Sequence, residues 1–260
     1  MILDKIIATK RLEIENLRAQ NSLESFSKFP LFKLKTRSLK ASIKDKTCGI
    51  IAEIKRQSPS KGILKKDLKP RDIAIAYRNA GAAGISVLTD NQYFGGSLED
   101  LLEVRAVVDL PILRKEFIID PIQLHESKAH GADVILLIAA ALSPEEILSL
   151  SKIAQELGME VLLEVHNKEE ALSSPLEHVD ILGVNNRDLH TFKVSLDHSF
   201  EIASLLPKDL IKISESGINS SNDIKSLMHS GYSGFLIGES FIVTDDPGVT
   251  CASFIKEATS

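Results

Sequence analysis

The sequence contains no tryptophan and only two cysteines, Cys48 and Cys251, with no Cys-x-x-Cys pair. That excludes a disulfide framework and a cysteine zinc knuckle, and reduced thiols in a cytoplasmic protein are expected. Histidine occurs at 125, 130, 166, 178, 190, 198 and 229, never as His-x-His or His-Glu-x-x-His, so no metal site is expected. No Gly-x-Gly-x-x-Gly follows the first apolar run, which removes the dinucleotide-binding signature. The longest apolar run, VILLIAAAL at 134–142, falls far short of the ~20 residues that span a bilayer. The N-terminus has no continuous apolar core, and Asp4, Glu13 and Glu15 argue against a transit peptide. A net charge of -5 supplies no global field for nucleic acid or a membrane surface, so neither is expected as a partner.

What is present is an alternation. Short aliphatic or β-branched runs begin at 48, 84, 111, 133, 160, 180, 211 and 234, successive starts differing by 36, 27, 22, 27, 20, 31 and 23 residues. Those intervals suit a strand plus a crossover helix. The segments between have helix grammar. SPEEILSLSKIAQELG places Ser143 as N-cap, Pro144 at the first helical position, Glu146 three residues after the cap and Gly158 at the end. Segment 220–231 opens on Ser and Asn and closes on Gly231. Eight such units without a break in composition imply parallel pairing. The expected fold is therefore an α/β (β/α)8 TIM barrel, with an open doubly wound sheet as competitor. A single domain over 1–260 is expected, with an N-terminal helical extension over 1–47 and the barrel over 48–260. Residues 1–20 are expected to cover the bottom or side of the barrel, the alternative being that part of 1–47 reaches the mouth and helps close it; the place of 38–47 stays open.

Barrel chemistry sits at the C-terminal ends of the strands. Residues 51–62, IAEIKRQSPSKG, start as a core strand, yet Glu53 and Lys55 are two apart and so share a face. The same search gives Lys115 in phase with Leu113, Glu164 in phase with Leu162, Asn185 with Arg187 two further on, and Glu215 in phase with Ile213. Any one of these reads most simply as a solvated strand end or a surface ion pair. Five strands with the same feature imply a shared mouth, because an isolated buried ion is costly. Such crowding lowers a lysine from its usual ~10.4 and raises a carboxyl, which suits proton transfer. Near the last two strand ends, Ser216, Gly217, Gly238 and Glu239 suggest a phosphate site of backbone N–H groups. Glycines at loop starts are otherwise ordinary turns. Lys55 is placed to bridge the phosphate end and the reacting centre, and the fork of Arg187 suits a carboxylate. Tyr93, Phe94 and Phe117 are candidates for an apolar wall. His166, just past Glu164, is a candidate ligand contact.

With those residues named, the chain resembles the indole-3-glycerol phosphate synthase family. The blocks IAEIKRQSPSKG, SVLTDNQYFGGS, LPILRKEFIID, LLEVH, GVNNRDL, SESGI and FLIGES stand in family order. The resemblance implies closure of the indole ring of 1-(2-carboxyphenylamino)-1-deoxyribulose 5-phosphate, with loss of carbon dioxide and water. The class implied is a carboxy-lyase of tryptophan biosynthesis that uses no cofactor. It further implies Lys115 as general acid on the ketone oxygen and Glu164 as acid–base partner in dehydration. Glu53 and Lys55 would be the pair that positions substrate, and Asn185 and Glu215 polar residues of the mouth. Arg187 would lie near the leaving carboxylate, with Ser58, Ser216, Gly217, Gly238 and Glu239 around the phosphate. The expected partner is the small sugar phosphate. A monomer is expected, contact with other enzymes of the pathway staying open. With the sequence ending at 260, one activity is expected, without the isomerase barrel some relatives carry. Glu116, Gln57 and Ser214 depart from frequent family residues without removing a required group. Competing readings are another phosphate-handling barrel, such as an isomerase or a Schiff-base aldolase using Lys115 or Lys55, and a non-catalytic scaffold barrel.

Overall fold

A computed structural model describes residues 2–188 and 191–260. His190, among the histidines given no metal role, and Leu189 of the GVNNRDL block lie outside the described residues.

Eight parallel strands close on themselves in the order β1-β8-β7-β6-β5-β4-β3-β2. They are β1 (Gly49–Ile54), β2 (Gly84–Leu88), β3 (Ile112–Lys115), β4 (Val134–Ile138), β5 (Glu160–Val165), β6 (Ile181–Asn185), β7 (Ile211–Glu215) and β8 (Gly234–Ile237). This is the (β/α)8 barrel. Each strand is buried on both sides, hence the continuous apolar runs. In β1, Ile50, Ala52 and Ile54 pack outward with the helices, while Ile51 joins Leu113, Leu136, Leu162, Ile213 and Leu236 inside. Burial of each such side chain contributes about 1.5–3 kcal/mol. The alternation that turns Ile51 inward also turns Glu53 and Lys55 inward, one and two layers higher.

The crossover helices begin where the caps indicate. Ser143 and Ser220 each form a reciprocal capping box, with Glu146 and Asp223 respectively. The SPSKG stretch holds one feature beyond a loop. Gln57–Ser58 pairs antiparallel with Gly62–Ile63, a small hairpin standing on the end of β1.

The N-terminal segment divides in two. The short helix Leu39–Lys44 turns Leu39 and Ile43 into the inner cluster, against the first residues of three strands, Gly49, Gly84 and Gly234. It plugs the end of the barrel opposite the mouth. Helix α1 (Ile2–Gln20) does the opposite of what was expected: it lies over the mouth, where Ile2, Leu3 and Ile6 face the cavity. The cause is Lys10, which interrupts the buried face formed by Leu3, Ile6 and Ile14. A buried ammonium requires counter-charges, and its partners are Asp90 at 2.7 Å, Glu13 at 2.8 Å and Glu116 at 3.1 Å. Asp90 and Glu116 follow the C-terminal ends of β2 and β3, so the ion pairs hold α1 at that end. Tyr93 Oη, 3.0 Å from Thr9 Oγ1, and Arg18 on Asp120 at 2.8 Å add two further ties.

Candidate active site

A cavity of about 500 Å³ opens at the C-terminal ends of the strands. The twelve polar and glycine candidates at the strand ends and loops all line it: Glu53, Lys55, Ser58, Lys115, Glu164, Asn185, Arg187, Glu215, Ser216, Gly217, Gly238 and Glu239. Leu3, Ile6, Phe94, Phe117, Leu136 and Leu236 supply apolar wall, with the Phe94 and Phe117 rings 6.0 Å apart. Two candidates fall outside. Tyr93 is turned to Thr9, and His166 lies behind Glu164 rather than in the cavity.

Lys115 is the hub. Its ammonium lies 2.8 Å from Glu164 Oε2 and 2.5 Å from Glu215 Oε2, bridging β3 to β5 and β7 across the barrel. Asn185 Nδ2 donates to Glu164 Oε1 at 3.2 Å, and Asn185 Oδ1 accepts from the Arg187 backbone N–H at 3.0 Å. Lys55 Nζ meets Glu53 Oε1 at 2.6 Å. Two glycines make room for the carboxylates. A Cβ on Gly183 would lie 2.2 Å from Glu215 Oε1, and one on Gly238 would lie 2.6 Å from Glu53 Oε1.

This packing sets the protonation states. Burial alone would lower Lys115, but Glu164, Glu215 and Glu53 outweigh it and hold the amine above the ordinary lysine range. The expectation of a lowered lysine is overturned here, because three carboxylates converge on one cation. Burial would raise Glu164, yet Lys115 and His166 hold it well below the usual carboxylate range. Glu215 goes the other way: burial first, then the Glu164 charge, push it up to about 8 against the pull of Lys115. Two carboxyls on one ammonium are thus driven apart, one ionised and one ready to hold a proton at neutral pH.

At the opposite rim the character changes. Ser216 and Gly217 have φ of 66° and 78°, successive left-handed residues that cost strain at the serine and turn the chain sharply beside the cavity. Glu239, which opens the short helix Glu239–Ile242, faces Lys61 at 3.4 Å and Arg187 at 3.9 Å. Lys61, at the hairpin tip, was missed in the sequence although it lies in the SPSKG stretch; lysine in a polar loop carries no periodicity to single it out. The apolar contribution of α1 was missed for a different reason, since only the partners of Lys10 reveal where that helix sits. Among the described residues no group of three His, Cys, Asp or Glu is placed to hold a metal ion; the space between Glu164 and Glu215 belongs to Lys115.

Glu116, Ser214 and Gln57, the departures from frequent family residues, each have partners of their own, and Glu116 also borders the cavity. Glu116 accepts from Thr89 Oγ1 at 2.7 Å and pairs with Lys10. Ser214 faces outward to Asn186 and Ser199 at 2.9 and 2.8 Å. Gln57 donates to the Gln92 carbonyl at 3.3 Å.

The family model described as indole-3-glycerol phosphate synthase matches residues 3–254. The chain belongs to the indole-3-glycerol phosphate synthase family. Indole-3-glycerol phosphate synthase of Bacteroides thetaiotaomicron is 46% identical over 255 residues, covering 98% of each chain. That of Carboxydothermus hydrogenoformans is 43% identical, covering 95% of this chain and 97% of its own. Among solved structures, thiamine phosphate pyrophosphorylase from Pyrococcus furiosus aligns over 86% of this chain with a TM-score of 0.60 at 15% identity, a likeness of fold alone. Membership of the synthase family makes this an enzyme of a tryptophan-biosynthetic family.

Proposed function

We propose that the chain is an indole-3-glycerol phosphate synthase, a carboxy-lyase closing the ring of 1-(2-carboxyphenylamino)-1-deoxyribulose 5-phosphate. The observation that carries the reading is the Lys115 ammonium held between Glu164 and Glu215, in a cavity whose far rim holds Lys61 and Arg187. A cavity of about 500 Å³ is of the size that encloses small ligands.

In this reading the sugar phosphate lies against Ser58, Lys61, Ser216, Gly217 and Gly238, where small residues allow close approach to an anion. Lys61 and Arg187 offset the negative charge of Glu239 there. Arg187 also suits the aryl carboxylate, with two parallel hydrogen bonds. Gripping both ends supplies the proximity that brings the aryl carbon to the ketone. Lys115 enters protonated. As the carbon–carbon bond forms, the developing alkoxide takes the Lys115 proton. A fixed donor of this kind is worth about 3–4 kcal/mol of barrier. Departure of carbon dioxide restores the aromatic ring, and water then leaves with Glu164 as the acid–base group. Glu53 and Lys55, paired at 2.6 Å, hold the sugar hydroxyls and share proton transfer. Phe94 and Phe117 pack on the aryl ring.

The test is direct. Purified chain with the carboxyphenylamino sugar phosphate should yield indole fluorescence and one carbon dioxide per turnover. Borohydride added with substrate should trap no covalent adduct. A reduced adduct on Lys115 or Lys55 would replace this reading with the aldolase chemistry, and no indole product would refute it in favour of another barrel activity or a non-catalytic role.

A further inference from the structure

His166 follows β5 and is 7% exposed, yet it lines no part of the substrate cavity. Its Nε2 lies 3.3 Å from Glu164 Oε1, and its Nδ1 lies 3.2 Å from Glu170 Oε2. Glu170 is itself fixed. Its Oε2 accepts from the His166 backbone N–H at 2.8 Å, and its Oε1 from Asn167 Nδ2 at 2.7 Å. The Nε2 contact is off the line of a good hydrogen bond, since that nitrogen has no partner by hydrogen-bond geometry. What it delivers to Glu164 is charge. Two carboxylates on either side of one buried ring favour an imidazolium, and they push its pKa up to about 9 against the lowering effect of burial. A second hollow of about 590 Å³ meets the ring from the other side, bringing Lys168, Glu169, Asp188, His198 and Glu201 near it.

Resting on the proposed reaction, the consequence concerns the moment after Lys115 acts. Its N–H bond breaks, the pair stays on nitrogen, and an O–H bond forms on the former ketone. Glu164 has then lost the charge of its nearest cation. Of the remaining groups around it, Asn185 is neutral, Glu215 is a second carboxyl that either holds a proton or adds like charge, and only His166 can supply positive charge. We propose that His166 is a positioning residue of the reaction: as an imidazolium braced by Glu170, it remains the counter-ion of Glu164 once Lys115 has given up its proton, and keeps Glu164 a carboxylate for the dehydration step.

Two measurements on the full chain test this. In the first, His166 is titrated by NMR of histidine-labelled protein, with His166→Asn identifying its signal. The wild-type midpoint is expected well above the ordinary ~6.5, falling by about one pH unit or more in Glu164→Gln and in Glu170→Gln as each opposite charge goes. A wild-type midpoint at or below 6.5, or one unmoved in both variants, overturns the proposal. In the second, pH profiles of kcat are compared. His166→Asn should lose about tenfold in kcat with a smaller change in KM, its acidic limb moving to higher pH as Glu164 becomes easier to protonate. Glu170→Gln should move the basic limb to lower pH although Glu170 faces no substrate. Profiles superimposable on wild type overturn the proposal, because a merely structural role moves neither limb. Failure of the wild type to make indole product counts against the proposed function instead, and leaves the NMR result to decide the charge state.

Discussion

Gly183 gives the sharpest structural prediction. It lies on β6 in register with Glu164 on β5 and Ile213 on β7, and its backbone lies outside the left-handed region, so alanine is allowed there by φ and ψ. What forbids a Cβ is the neighbour: Glu215 Oε1 would lie at 2.2 Å, with Leu162 Cδ2 at 3.1 Å. Ordinary contact needs at least about 3.2 Å, so the Glu215 carboxylate must move by about 1 Å, and Lys115 sits on its other oxygen. A displacement of that size in a catalytic group costs about a hundredfold in rate, and overpacking of a rigid core costs about 1–3 kcal/mol. Gly183→Ala should therefore lose about 10- to 100-fold in kcat and melt measurably lower, read by the indole fluorescence assay and thermal unfolding. The double variant isolates the cause. With Glu215→Ala the new Cβ has space, so Gly183→Ala added to it should cost no more than about 0.5 kcal/mol, a coupling that additive sites do not show. Wild-type turnover and stability in Gly183→Ala would refute the claim that Gly183 exists to seat Glu215. So would a full added penalty in the double variant.

Lys10→Met leaves Asp90 buried without its cation and Glu116 with only Arg114, 3.7 Å away, and should cost about 3–5 kcal/mol in urea unfolding, with a raised KM as Leu3 and Ile6 lose their seat; a cost under about 1 kcal/mol would contradict the docking of α1. The His166 pair should make stability fall on the alkaline side. Its folded pKa of about 9 exceeds its ordinary 6.5, so its contribution is complete below about pH 6.5 and fades as pH rises through 9. The difference between wild type and His166→Asn, on the order of 3 kcal/mol at pH 6, should shrink at pH 10; a difference constant with pH would contradict it. Cys48 and Cys251, both buried and each pushed up to about 12 by burial, should react with a thiol reagent at pH 8 only as fast as the chain opens. Rapid labelling of the native protein would oppose that.

The barrel and its mouth were legible in the sequence because both follow from short-range rules. A period of two sets which strand residues face inward, so Leu113 predicts Lys115, Leu162 predicts Glu164 and Ile213 predicts Glu215. Capping residues mark the helix starts, and Ser143 and Ser220 act as they read. What was not legible depends on long-range pairing. The partners that dock Lys10 on the barrel are some 80 and 106 residues away in sequence, at Asp90 and Glu116, and nothing local says that α1 climbs to the mouth rather than the side. The hairpin at Gln57–Ile63 rests on two ladder pairs, too few to leave a pattern. The protonation of Lys115 was misread for the same reason, while the raised carboxyl was found at Glu215. Lysine in a crowd of ions can shift either way, and the count of carboxylates on Lys115 is a property of three strands together.

The central claim is that one ammonium, fixed among carboxylates from separate strands, drives ring closure. The most direct test is kcat for Lys115→Met beside its affinity for an unreactive substrate analogue in which the ketone is reduced to the alcohol. The account predicts a fall in kcat of at least a hundredfold, with analogue affinity within about tenfold of wild type. Turnover close to that of the unaltered enzyme would contradict it.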